Sequence, residues 1–162
     1  MIRDTSWISG VVLFGLALVF PGRMLARQTS TPEERAQWVD VTHKLESGPL
    51  DDALNRQGET AFKQDSEAHD IHAALCSVLF NEFGGMKYSY SHLITRQYML
   101  AIENPDKTGD TDAMNLSAVE SVLKTYQSIL QQKPDAKAKA LDDMVKKQSQ
   151  EKLKDFVHKQ CH

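Results

Sequence analysis

Between residues 116 and 130 an apolar side chain recurs every three or four positions: Leu116, Val119, Leu123, Tyr126 and Leu130, supported by Val122 and Ile129. That spacing gathers the set on one side of an α-helix and would scatter it over both faces of a strand. A helix with one apolar side must bury it, so the stripe demands a covering surface. Five positions at heptad spacing are too short a series for a free coiled coil, so the stripe reads as the core of a helical domain. Asp112 stands just ahead of it as the predicted N-cap.

The same period recurs along the chain. Thr31-Pro32-Glu33-Glu34 supplies an N-cap, a proline at the first helical position and a glutamate at the third. The helix it opens presents Trp38, Val41 and Leu45, and Ser47-Gly48-Pro49 ends it. A second helix from about residue 50 carries Leu54, Ala61 and Phe62, with Gly58 weakening its middle. A third, over residues 66–83, spreads Ile71, Leu75, Val78, Leu79 and Phe83 over a wide arc, with Cys76 and Phe80 beside it. That breadth predicts the central helix of a bundle, stopped by Gly84-Gly85.

Residues 86–103 read as helix, although Tyr88, Tyr90 and His92 alternate as a strand would, because no partner strand is evident elsewhere. After a turn-rich loop at 104–112 and the helix described first, Lys133-Pro134-Asp135 opens a last helical stretch. Its two apolar groups (Leu141, Met144 and Val145, then Leu153, Phe156 and Val157) are out of phase by about a third of a turn. The offset predicts a kink or break near residues 148–151. The expected fold is all-α: a compact bundle of five or six mostly antiparallel amphipathic helices over residues 32–162. A polar linker at 27–31 precedes it.

Ahead of the linker the composition changes. Sixteen of the first 26 residues are apolar, against 50 of the following 136. The run at 8–20 makes a helix of only about 20 Å, short of a hydrocarbon core of about 30 Å, and its length suits a signal-peptide h-region. Pro21-Gly22 breaks it, and Met24-Leu25-Ala26 ends on a small residue suited to cleavage. Asp4 offsets Arg3 in front, while Arg23 and Arg27 follow behind. Residues 1–26 therefore read as a signal peptide, with an uncleaved N-terminal membrane anchor as the alternative. The expected location is periplasmic or secreted, or anchored to the membrane by residues 8–20.

The 162 residues carry 19 basic and 22 acidic side chains, a net charge of −3. All eight cations of residues 133–162 are lysine, interleaved with Asp142, Asp143, Glu151 and Asp155. Mixed signs without arginine describe a solvated helix face rather than an anion-binding patch. Nucleic acid is not an expected partner of an acidic, exported chain. The expected partner is a protein of the cell envelope, with membrane contact only through an uncleaved N-terminal segment.

Cys76 and Cys161 are the two cysteines, and in an oxidising compartment an even count suggests one disulfide. The competing reading is a metal site. His72 and Cys76 lie four apart and His158 and Cys161 three apart, a two-Cys, two-His set suited to zinc or copper, with His69 and His162 as alternates. Thiols near each other in the envelope tend to oxidise, and His72 falls within an apolar arc where a carbonyl usually satisfies the ring. The disulfide is therefore preferred and no cofactor is expected.

Asp106, Thr108, Asp110 and Asp112 alternate as calcium-loop ligands do. The glycine is misplaced, however, and the closing position falls on Ser117, so a turn and an N-cap explain them better. No Gly-x-Ser-x-Gly elbow, His-Glu-x-x-His, phosphate loop, dinucleotide fingerprint or Cys-x-x-Cys-His is present. His69–Asp70 with Glu67 lacks a nucleophile, and pairing Glu59 with Glu82 is arbitrary. Tyr88, Tyr90 and Tyr98 could line a groove, but an aromatic stripe is more often core. The expected function is that of an exported, non-enzymatic helical binding or scaffolding protein of the cell envelope. The alternative is a metal-binding module using His72, Cys76, His158 and Cys161.

Overall fold

The computed structural model describes residues 30–68, 75–83, 87–102 and 109–162. The leader, most of the linker, Ile71, His69, His72, the Gly84-Gly85 stop and the first part of the calcium-like loop lie outside them. Among the described residues there are seven helices and no strand, so the chain is all-α. No helix among them is long and apolar enough to cross a membrane.

The helix starts are set locally. Thr31 Oγ1 accepts from Glu34 N–H at 3.1 Å while Glu34 Oε2 accepts from Thr31 N–H at 2.7 Å, the reciprocal capping box expected from the sequence. With Pro32 behind the cap, α1 runs Pro32–Ser47. Asp51 Oδ1 accepts from Leu54 N–H at 2.8 Å and starts α2, Asp52–Glu67. Ser77–Glu82 forms the short α3, and a turn closed by Ser91 N–H to Tyr88 O at 3.0 Å leads into α4, Ser91–Ile102. The alternation of Tyr88 and Tyr90 is thus a turn entering a helix that begins five residues later than expected.

α5, Thr111–Gln132, is capped by Asp110 rather than Asp112: Asp110 Oδ1 accepts from Ala113 N–H at 3.0 Å. The last helical stretch divides where the phase offset placed a break, into α6, Lys139–Ser149, and α7, Leu153–Cys161. Glu151 takes the left-handed conformation between them, φ 59°. Lys152 N–H donates to Lys147 O at 2.8 Å and Glu151 N–H to Gln148 O at 3.0 Å, the Schellman pattern that closes a helix, here without glycine.

Among the described residues the count of seven exceeds the expected five or six because the last stretch divides into α6 and α7, and the 66–83 segment departs from expectation in another way. In place of one long central helix, α2 extends to Glu67 and the six-residue α3 covers the far end. Cys76, Leu79 and Phe83 are buried, yet Leu75 is 42% and Val78 40% exposed. The wide apolar arc overstated its burial, because a single-turn helix seats only one side. The centre is instead α4 with α5: α5 packs on α1, α4, α6 and α7, and α4 also meets α1 and α2.

Two clusters result. The larger joins Leu79 and Phe83 to Tyr98, Val119, Val122, Leu123, Tyr126, Ile129, Leu141, Met144 and Val157. The smaller holds Trp38, Val41, Leu45, Ala61 and Leu100 where α1 and α2 cover α4. Tyr88 and Tyr98 are core and Tyr90 is partly buried against it. The Tyr98 hydroxyl donates to Asn115 Oδ1 and accepts from Cys76 N–H at 3.3 Å. Burial pushes its pKa up to about 12.

Polar side chains lock the layers in register. Gln97, fully buried on α4, donates to Thr42 O at 3.0 Å and to Ser121 Oγ at 2.8 Å. Ser121 in turn donates to Glu46 Oε1 at 2.7 Å, tying α1, α4 and α5 together. Between α2 and α4 the buried Arg96 bonds both carbonyl groups of Asn55 and lies 3.7 Å from Glu59. Gly58 makes room for it. A Cβ there would sit 2.8 Å from Leu45 Cδ1 and 3.2 Å from Arg96 Nε.

Candidate functional site

The residues of chemical interest converge where α7 meets α3 and the start of α5. Cys76, the residue before α3, and Cys161, at the end of α7, are joined in a disulfide with Cα atoms 5.2 Å apart. The bond closes a sequence separation of 85 residues and fastens α7 to the edge of the larger core. Both sulfurs of the two-Cys, two-His set are therefore committed to each other. His72 lies outside the described residues.

The fourth member of that set, His158, turns elsewhere. His158 lies on α7 and His162 is the residue just past its end, four positions further on. The ring centroids are 4.9 Å apart. Both rings face Asp112 in the first turn of α5: His158 Nδ1 is 2.5 Å from Asp112 Oδ2, and His162 Nε2 is 2.8 Å from Asp112 Oδ1. Because Asp110 caps α5, both oxygens of Asp112 are left for the imidazoles. Hydrogen bonds from His158 and then His162 hold the Asp112 carboxyl below the usual carboxylate range.

The cluster is open to solvent, with side-chain exposures of 62% for His158, 56% for His162 and 31% for Asp112. One ligand atom from each residue lies within 4.8 Å of the other two. This is the one group of three or more His, Cys, Asp or Glu among the described residues that meets that distance. His158 was in the sequence-derived set and His162 an alternate; Asp112 was assigned to capping.

Two concavities share no lining residue with this cluster. Thr42, His43, Glu46, Leu100, Ser121 and Lys124 help to line a pocket of about 60 Å³, room for one or two waters rather than an organic substrate. There Ser121 donates to the Glu46 carboxylate, whose other oxygen accepts from Lys124 Nζ at 3.2 Å. An open cleft of about 380 Å³ runs between α1 and α2, with Val41 and Ala61 among Gln37, Arg56, Gln57, Thr60 and Gln64. Its size reaches the range of ligand sites, and its polar lining offers hydrogen bonds without a nucleophile. No known protein family, curated protein or solved structure matches this chain.

Proposed function

We propose that the protein is an exported, non-enzymatic bundle of mostly antiparallel helices that binds or scaffolds a protein partner in the cell envelope. The observation that carries this reading is the Cys76–Cys161 bond. A disulfide across 85 residues persists in an oxidising compartment and is reduced in a cytosol poised by glutathione. The apolar run at 8–20 supports the same destination, with residues 1–26 as the leader, 27–31 as the linker and 32–162 as the domain. The α1–α2 cleft supplies amide, hydroxyl and guanidinium donors around a small apolar floor, a mixture that suits the polar margin of a protein interface.

Fractionation of the native cells tests this reading, with thiol alkylation and N-terminal mass spectrometry on the recovered chain. The expected result is protein in the exported fraction with no free thiol, beginning at Arg27, or at Met1 in membranes if the leader is retained. Recovery of the full chain from the cytosol with both thiols alkylated would overturn it.

A further inference from the structure

We propose that Asp112, His158 and His162 form a binding site for a divalent transition-metal ion of the zinc class, which clamps the start of α5 to the end of α7.

The donor set and its placement match such an ion. Two imidazole nitrogens and a carboxylate oxygen are the donors zinc takes in three-ligand sites, and they leave a fourth position to solvent. Calcium and magnesium prefer oxygen alone, so two nitrogens select against them. Zinc bonds nitrogen and oxygen at about 2.0–2.2 Å, which puts tetrahedral ligand atoms roughly 3.3 Å from one another. The present ring-to-carboxylate separations of 2.5 and 2.8 Å, to different oxygens of Asp112, need to open by less than about 1 Å, and ligand atoms lying up to 4.8 Å apart need to close by at most about 1.5 Å.

The remaining nitrogen of each ring faces away from the carboxylate and can keep its proton while the nearer one gives a lone pair to the ion. Binding then replaces two hydrogen bonds with three coordinate bonds, and any proton on a nearer nitrogen moves to the ring's other nitrogen or to solvent. Exposure of all three side chains gives an ion free access.

Pre-organisation favours the same site. His158 sits on α7, and His162 directly follows Cys161, the helix's last residue, which is tethered to the core through Cys76. A chelating pair whose helix is already anchored loses little freedom on binding. The helix dipoles act in opposite senses: the C-terminal end of α7 favours a cation and the N-terminal end of α5 weakly opposes it. Asp112 cancels the second effect, since its charge sits in that first turn.

The test uses the full chain with its disulfide intact, in mild detergent, titrated with zinc chloride by calorimetry and followed by thermal melting. One equivalent of zinc is expected to bind and to raise Tm. His158→Ala and His162→Ala should each weaken zinc binding by at least about 10-fold, and Asp112→Asn by about the same factor. His43→Ala and His92→Ala, which lie outside the cluster, should leave it unchanged within about 2-fold. Calcium chloride should give no saturable binding. Circular dichroism without metal confirms that each variant is folded, so a lost Tm rise reports the site rather than the fold.

Three results would overturn the proposal. The first is no saturable binding below about 0.1 mM zinc. The second is equal binding by the His158→Ala/His162→Ala double variant. The third is zinc binding that strengthens on reduction and is lost in Cys76→Ser/Cys161→Ser, which would move the ligands to the thiols. The proposal does not rest on export, so cytosolic recovery of the chain would leave it standing.

Discussion

Cutting the Cys76–Cys161 bond should remove a large share of this chain's stability, and the loss should come from the unfolded state. Natively the bond joins parts that also pack without it. Cys76 N–H donates to the Tyr98 hydroxyl, while Leu79, Phe83 and Val157 around it are fully buried. Reduction therefore leaves the folded contacts largely in place. What it releases is an 85-residue loop in the unfolded chain. The chain-entropy relation gives about 15 cal/mol/K for that loop, or about 4.5 kcal/mol at 25 °C. Residual helix within the loop, from the α4 and α5 sequences, already restricts the unfolded chain and lowers the expected loss to about 3–4 kcal/mol. Against a total of about 5–15 kcal/mol, that is a large share. Urea unfolding of the full chain by far-UV circular dichroism, with and without reductant, measures it. Reduced wild type isolates the cross-link, since it keeps every side-chain atom. Cys76→Ala/Cys161→Ala should lose roughly 1 kcal/mol more, because Cys76 is buried and alanine leaves a small void. The urea slope should also rise on reduction, since an uncross-linked chain exposes more surface. Oxidised and reduced forms unfolding within about 1 kcal/mol of each other, at equal slope, would refute the loop-closure reasoning.

Gly58→Ala should destabilise the protein by about 1–2 kcal/mol, although alanine is the better helix former by about 1 kcal/mol. The new methyl meets Leu45 and the buried Arg96, and thermal melting would report the net sign. Glu151→Gly should do the reverse, gaining about 0.5–1 kcal/mol by relieving a left-handed glutamate; a lower Tm in this variant would contradict the strain assigned to the α6–α7 junction. Asp112 has a pKa held below its unfolded value by His158 and His162, so its stabilising contribution is complete above the unfolded carboxylate range near 4 and disappears as pH falls through the folded value. Urea midpoints of wild type and Asp112→Asn should therefore converge on acidification, and a constant gap down to the acid limit would sink that assignment.

The sequence made most legible what a few neighbouring residues determine. The start of α1 needs only the four residues from Thr31 to Glu34, whose side chains and amides satisfy one another. The α6–α7 break appears as a phase error between two apolar groups, because a straight helix cannot turn both toward one core. The 66–83 segment failed for the opposite reason. Its apolar arc tells how much of a helix can be buried, whereas the partners tell how much is. In and around α3, Leu79 and Phe83 are seated in the core while Leu75 and Val78 are left to solvent. Gly58 was misread in the same way: locally it is a weak point of α2, and in the fold it is the space that admits Arg96.

The disulfide was readable from two cysteines and the apolar run at 8–20, but the Asp112 cluster was not, and the obstacle was a competition for one side chain. In Asp110-Thr111-Asp112 either aspartate has an amide three residues ahead to accept from, so the cap rule alone cannot choose between them. Asn115 breaks the tie. Its Nδ2 donates to Thr111 O at 2.8 Å, a bond over four residues that requires the helix to have begun by Thr111. Its Oδ1 accepts from the buried Tyr98 hydroxyl, which fixes Asn115 to α4 and so fixes where α5 begins. The cap then falls to Asp110, and Asp112 points its carboxylate at two histidines 46 and 50 positions away. A tyrosine in the core thus decides whether a surface aspartate caps a helix or serves a pair of imidazoles. Tyr98→Phe keeps the ring and removes that hydroxyl, so it should weaken zinc binding without touching any ligand.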